Sequence, residues 1–138
     1  MAGYSGTPLP RKLGFRPGLR SYLIRAPESV RAELAAVRHV DDRLDVARGS
    51  VDFVLVFARS RPALARDLER VLPRLAPDGA LWLCWPKRSS GVSSDLGERE
   101  VRVAGLATGL VDVKVCAVSD TWSGLKFVRR RADRLSRA

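Results

Sequence analysis

A basic loop rich in hydroxyl groups directly follows an apolar segment in the middle of the chain. Segment 80–85 lacks polar alternation and is too short for a helix between Gly79 and Pro86, so we predict a strand buried on both faces. The loop after it carries one cation and two hydroxyl groups, Lys87, Ser89 and Ser90. Ligands of open α/β sheets bind beyond the carboxyl ends of such strands. The loop is therefore either part of a binding site for a small anion or only a solvated turn.

Apolar spacing, glycine and proline indicate the elements that would position this loop. In the first half of the chain we predict a strand at 20–25, a helix from 27 to about 38, a short edge strand at 43–47 and a strand at 51–57. The next predicted helix begins after Ser60 and ends or kinks at Pro73. The strand at 80–85, a helix capped by Ser94, and strands at 111–119 and 122–131 follow. This order predicts one three-layer α/β domain with an antiparallel C-terminal hairpin. Residues 1–19 are expected to form an N-terminal arm and residues 132–138 a basic tail.

Helical spacing also predicts which faces of two helices are buried. In the helix after Ser60, the expected apolar stripe is Leu64, Leu68, Val71, Leu72 and Leu75. Asp67 is expected to point outward with its charged neighbours. In the helix after Ser94, the expected inner face is Val103, Leu106 and Leu110.

The totals place the chain among single-domain proteins with a strongly basic charge balance. Its 138 residues carry a net charge of +10, and 46% of them are hydrophobic, which excludes a wholly disordered chain. No apolar run approaches the ~20 residues that span a bilayer, so we expect a cytoplasmic protein without a membrane partner. Cys84 and Cys116 lack metal-site spacing and are expected to be small buried thiols; we expect no metal site.

Several strings carry a resemblance to known families. The strings LGFRPGLR at 13–20, VDFVLV at 51–56 and LAPDGALWL at 75–83, with the terminal hairpin, resemble class I S-adenosylmethionine-dependent methyltransferases. Nearly the whole chain is similar to a family of short bacterial proteins classified as a domain of unknown function. The strings that carry this second resemblance are GYSGTPL at 3–9, WPKRSSG at 85–91, KVCA at 114–117 and TWSGL at 121–125.

The methyltransferase resemblance implies a Rossmann-like fold, but the residues that would bind the cofactor are missing. The turn after the first strand reads Arg25-Ala-Pro27 in place of a glycine-rich loop, and no acidic residue ends the second strand to hold a ribose. The fold can be inherited without the reaction. We therefore expect no cofactor and lean against an enzyme, with a diverged S-adenosylmethionine-dependent transferase as an alternative.

If the hairpin matches that of the methyltransferases, its turn lies at the carboxyl edge of the sheet beside Lys87. The turn would contribute a carboxylate, hydroxyl groups and an aromatic ring, Asp120, Thr121, Trp122 and Ser123. The N-terminal arm could close over the same edge with Tyr4 and Ser5. Such a composition suits a small polar ligand. A Lys87–Asp120 pair would either tune the lysine or only fix the loop.

The excess positive charge lies at the two ends of the chain. Residues 1–25 hold five Lys or Arg and no acid, and residues 126–138 hold six with one acid. The same fold hypothesis brings five arginines to the opposite edge of the sheet, namely Arg16, Arg20, Arg129, Arg130 and Arg131. They would form a basic face for a phosphate backbone, or they are solvated tails.

These patterns favour a non-catalytic, methyltransferase-like binding or regulatory module. It would recognise a small anionic ligand or an acidic segment of a partner protein at the carboxyl edge. The alternatives are a nucleic-acid-associated protein that uses the terminal arginines and the diverged transferase. A homodimer through the exposed hairpin is a further hypothesis.

Overall fold

Within the part of the chain that the structure describes, five strands form one open sheet, and helices pack on both of its faces. A computed structural model describes residues 6–37 and 45–136. The helices and strands are α1 (Leu9–Leu13), β1 (Ser21–Ile24), α2 (Glu28–Ala35), β2 (Val51–Phe57), α3 (Arg61–Val71), β3 (Leu75–Pro86), α4 (Glu98–Ala107), β4 (Val111–Ala117), β5 (Trp122–Val128) and α5 (Arg131–Ser136). Short 3₁₀ turns at Leu72–Arg74 and Arg88–Ser90 flank β3.

The strand order is β1-β2-β3-β5-β4, which confirms a mixed α/β fold with antiparallel C-terminal strands. β1, β2 and β3 are parallel, whereas β5 is antiparallel to both β3 and β4. β4 therefore runs in the direction of β3. Because of these directions, the turn between β4 and β5 lies at the same edge as the carboxyl ends of the three parallel strands. The predicted hairpin and the position of its turn are confirmed.

The central strands divide the core into two layers because successive side chains of a strand point to opposite faces. Val54 and Val56 of β2 pack with α3 and α4. Phe53, Leu55 and Phe57 of the same strand pack with α1 and α2. The continuous apolar sequence of β2 follows from this double burial, as predicted.

Helix α1 lies within residues 1–19, which are predicted to form an N-terminal arm. Leu9 and Leu13 are each only 1% exposed. The indole Nε1 of buried Trp82 donates a hydrogen bond of 2.9 Å to the Leu13 carbonyl. Since a buried indole N–H needs an acceptor, this bond stabilises the helix against the sheet.

Helix α4 presents a different face from the predicted one. Val103 and Leu106 are 60% and 43% exposed, so their assignment to the inner face is wrong. Val101 and Gly105 face the core instead, and a Cβ on Gly105 would lie 2.2 Å from the Phe127 ring. The missing side chain therefore allows α4 to approach β5 closely.

The start of α4 and the predicted short edge strand also differ from the structure. Gly97 precedes α4 as its N-cap, whereas the Ser94 hydroxyl accepts a hydrogen bond from the Leu96 amide in the preceding loop. Positions 43 and 44 of the predicted strand lie outside the described residues. Residues 45–47 form no strand, although the Val46 amide donates to the Ser21 carbonyl at 2.8 Å.

Two cysteines flank Gly124 in the sheet. Gly124 of β5 is paired with Cys84 of β3 on one side and with Cys116 of β4 on the other. Cys84 is buried, whereas Cys116 is half-buried, so the prediction of two buried thiols holds only for the first. Burial raises the pKa of both thiols. Within residues 6–37 and 45–136, no group of three His, Cys, Asp or Glu side chains is placed to hold a metal ion.

Candidate functional site

A cleft of about 590 Å³ opens at the carboxyl edge of the sheet. Three cations line it, one from each of three elements: Arg25 follows β1, Arg59 follows β2, and Arg66 lies in α3. Trp122, the first residue of β5, contributes an aromatic ring. We call this feature the arginine cleft. None of the described residues that line it carries a carboxylate.

Arg25 is held by two contacts on its guanidinium group. Its Nε donates to the Phe57 carbonyl at 2.8 Å, and its Nη2 forms an ion pair with Asp67. Asp67 is only 2% exposed, which corrects the prediction that it points outward. The Arg25 backbone has a φ of +57°, a conformation that costs free energy for a side chain other than glycine. The unusual backbone and the two contacts together fix one cation, half-exposed, at the cleft.

The start of α3 contributes little free hydrogen-bonding capacity to the cleft. The Arg61 amide donates to Asp95 Oδ1 at 2.9 Å, and the Ala63 amide donates to the Ser60 hydroxyl at 3.3 Å. Pro62, between them, has no N–H. An anion in the cleft must therefore be bound mainly by the arginine side chains.

Arg59 and Arg66 are exposed, and neither forms an ion pair with a carboxylate of the described part of the chain. Asp67 compensates the charge of Arg25 but not the charges of Arg59 and Arg66. The cleft thus keeps a formal excess of two positive charges. Guanidinium groups bind carboxylates and phosphates with two parallel hydrogen bonds, which gives such a cleft affinity for anions.

The Trp122 ring is oriented by a contact with the sheet. It meets the Phe57 ring edge to face, with 5.1 Å between the ring centroids. The Trp122 and Thr121 amides both donate to the Ser119 hydroxyl, at 3.1 and 3.2 Å. The turn is therefore well defined, and the half-buried indole can stack on a planar group.

The predicted loop at Lys87 lies beside this turn, since the Lys87 amide donates to the Thr121 carbonyl at 2.7 Å. No ion pair links the Lys87 and Asp120 side chains in the described structure. The Ser90 hydroxyl donates to the Lys87 carbonyl at 2.6 Å and accepts from the Val92 amide at 3.2 Å, so it stabilises its own loop.

Of the predicted site residues, the arginine cleft includes Trp122 alone among those that the structure describes. Ser89 and Asp120 are exposed, and Thr121 and Ser123 are half-buried outside its lining. Tyr4 and Ser5 lie outside the described residues.

Three arginines of the cleft were missed from sequence. The signal that could have found them is the same rule that selected Lys87. Residues at or just after the end of a parallel strand share its carboxyl edge. Arg25 is the last residue of the predicted strand 20–25, and Arg59 lies two residues after the predicted strand 51–57. Arg66 could not be found in this way, because its place in the cleft depends on how α3 packs against the sheet.

The predicted basic face at the opposite edge is reduced by internal contacts. Arg129 is 7% exposed and donates to the carbonyls of Leu72 and Leu75, at distances between 2.6 and 3.2 Å. Arg129 therefore offers little of its side chain to a nucleic acid. Arg20 pairs with Asp52 through two hydrogen bonds of 2.9 and 3.0 Å. Arg16, Arg130 and Arg131 are exposed.

The Arg20–Asp52 pair predicts a pH-dependent contribution to stability. Hydrogen bonds from Arg20 lower the pKa of Asp52 below its ordinary value of 3.8. The contribution is therefore present above pH 3.8 and is lost as the pH falls through the lowered pKa. Because the Arg20 side chain is half-exposed to solvent, D52N is expected to cost about 0.5 kcal/mol at neutral pH. Urea unfolding of both proteins at neutral and strongly acidic pH measures this, and a cost that persists in acid would contradict it.

Comparison with known proteins adds a family but no activity. No curated protein matches the chain significantly. The model of a family described as a protein of unknown function (DUF3052) matches residues 26–131. Neither comparison shows the resemblance to methyltransferases. The matched range contains Arg59, Arg66 and Trp122 of the arginine cleft and begins one residue after Arg25. The described part of the chain has no helix long and apolar enough to cross a membrane. Because the match covers most of its length, the chain belongs to this family of proteins of unknown function.

Proposed function

We propose that the protein is a non-catalytic binding module that takes up a small anionic ligand in the arginine cleft. The observation that carries the proposal is the convergence of Arg25, Arg59 and Arg66 on a cleft whose described lining has no carboxylate. Holding three like charges around one cleft is electrostatically unfavourable. A phosphate or carboxylate group would relieve this repulsion on binding.

The size and lining of the cleft support a small molecule with a planar part. Its volume of about 590 Å³ lies within the usual range of small-ligand sites. Trp122 offers an oriented ring for stacking, while Ser60 and Ser93 add hydroxyl groups at the lining. A phosphorylated compound with an aromatic or heterocyclic ring matches the volume of the cleft, its stacking ring and its polar groups.

The lining favours binding over catalysis. Its described residues include two hydroxyl groups, but none of its side chains is a histidine, carboxylate or thiol that could serve as their general base. The hypothesis that the fold is Rossmann-like and methyltransferase-like can be tested by measuring whether S-adenosylmethionine binds in the same cleft. Binding of that compound would favour the diverged transferase instead.

Arginine substitutions test the site. A hydrogen-bonded contact to a charged group is worth about 1.5–3 kcal/mol, so R66A or R59A is expected to raise the Kd of a cleft ligand about tenfold or more. The probes are nucleotides, sugar phosphates, dicarboxylates, S-adenosylmethionine and an acidic peptide, measured by calorimetry. Tryptophan fluorescence gives a second readout because Trp82 and Trp85 are buried, whereas Trp122 lines the cleft.

The matched control is R70A, which removes an exposed arginine of α3 that does not line the cleft. Ligand affinity should survive this change. If R59A, R66A and R70A bind every probe equally well, the cleft is not the site. If only the acidic peptide binds, the ligand is a segment of a partner protein.

A further inference from the structure

A second group of basic side chains lies on the sheet away from the arginine cleft. Lys114 of β4 is directly opposite Lys126 of β5 in the strand register. The Lys126 Nζ lies 3.9 Å from the position that a Cβ on Gly14 would occupy, which places the end of α1 beside it. Lys12 and Arg16 stand on either side of Gly14 in the chain. We call Lys12, Arg16, Lys114 and Lys126 the basic sheet face.

Strand alternation shows that α4 does not cover this face. Leu125 and Phe127, the neighbours of Lys126 in β5, belong to the core layer of α3 and α4. Lys126 and its partner Lys114 therefore point to the opposite side of the sheet. Lys114 is exposed, and β4 is the last strand of the sheet, with no described strand beyond it.

Several observations indicate that the positive charges of this face repel one another. Like charges directly opposite each other destabilise an antiparallel pair. The pKa of Lys126 is lowered by its partial burial and further by Lys114 and Arg16. Among the described residues, no carboxylate forms an ion pair with Arg16, Lys114 or Lys126. The fold thus holds Lys114 and Lys126 opposite each other on an open surface, with Arg16 close enough to act on Lys126.

We propose that the basic sheet face binds the phosphate backbone of nucleic acid. Cations spread over two strands and the end of a helix suit a polymer with regularly spaced phosphates better than a small ligand, which needs a concave site. No aromatic side chain of the described chain is fully exposed to stack on bases. Binding through phosphates alone is independent of base sequence. Of the five arginines predicted for a nucleic-acid surface, this face keeps Arg16, whereas Arg129 is buried and Arg20 is paired with Asp52.

Fluorescence anisotropy with a labelled DNA duplex of about 20 base pairs tests the proposal. If four phosphates are neutralised, log K is expected to fall with log salt concentration with a slope of about −3.6. K114Q/K126Q should reduce the slope by about two and weaken binding at low salt at least tenfold. The matched control is R70Q/R88Q, which removes two exposed charges elsewhere and gives the same net charge. Its slope should stay close to that of the wild type.

The single variant K114Q separates loss of binding from loss of folding, because it is expected to weaken DNA binding but to stabilise the fold. K114Q removes the charge opposite Lys126, so its Tm is expected to rise while its affinity falls. Equal slopes and affinities for K114Q/K126Q and R70Q/R88Q would overturn the proposal. Binding to anionic phospholipid vesicles without binding to DNA or RNA would also overturn it, in favour of a membrane surface.

Discussion

Replacement of Arg25 by alanine is expected to lower the free energy of unfolding by about 2–3 kcal/mol. The change leaves the carboxylate of Asp67 buried without its cation, and removal of one partner of a fully buried pair costs about 3–5 kcal/mol. The expected cost is smaller here because the Arg25 side chain is half-exposed. Chemical denaturation at neutral pH measures the difference. R20A is the comparison, since it breaks an exposed pair and should cost well under half as much.

The double variant R25A/D67N separates the charge from the lost packing. Asparagine keeps the shape of the side chain but removes its charge, so R25A/D67N should be more stable than R25A. The coupling between the two positions then measures their ion pair. If R25A unfolds at the same denaturant concentration as the wild type, Asp67 does not depend on Arg25.

Replacement of Gly105 by alanine is expected to cost about 2 kcal/mol, although the same change in an open helix would stabilise it by about 1 kcal/mol. The sign is reversed because the new Cβ would lie 2.2 Å from two carbons of the Phe127 ring, and real Cβ contacts are always longer. Phe127 is fully buried, so its ring cannot move aside without disturbing the core. Thermal and urea denaturation provide the measurement.

The contact can be tested by making room for the new methyl group. F127L alone should be destabilised by a cavity, but F127L/G105A should lose less than the sum of the two single changes. L106A on the exposed side of α4 is the control and should change stability little. A G105A variant as stable as the wild type would show that α4 can shift away from β5.

The parts of the fold predicted from sequence are those controlled by local patterns. Segment 51–57 is a strand with the predicted bounds because unbroken apolar residues require burial on both faces. The face of α4 was wrong because periodicity counts large apolar residues, whereas the actual contact is made by a glycine. Helix α1 was missed because its stability depends on the distant Trp82. Such contacts between remote segments leave no local signal.

The predicted site and the arginine cleft lie at the same edge of the sheet but involve the ends of different strands. The predicted residues lie in the loop after β3, where Lys87 and Ser90 make backbone contacts, whereas the arginine cleft is built at the ends of β1 and β2. Asp67 and Arg129 show why sequence alone misassigns charged groups. Each is buried by a partner 42 or more positions away, and side-chain charge suggests exposure until that partner is known.

The placement of Gly124 between Cys84 and Cys116 has a practical consequence for labelling chemistry. Two strand spacings put the cysteine Cα atoms about 10 Å apart, beyond the ~7 Å limit for a disulfide. Burial raises the pKa of both thiols, so little reactive thiolate is present at neutral pH. A cysteine introduced at exposed Ser93, on the lining of the arginine cleft, would react with a maleimide dye faster than either native thiol. A fluorescent reporter of ligand binding can therefore be attached without removing the native cysteines.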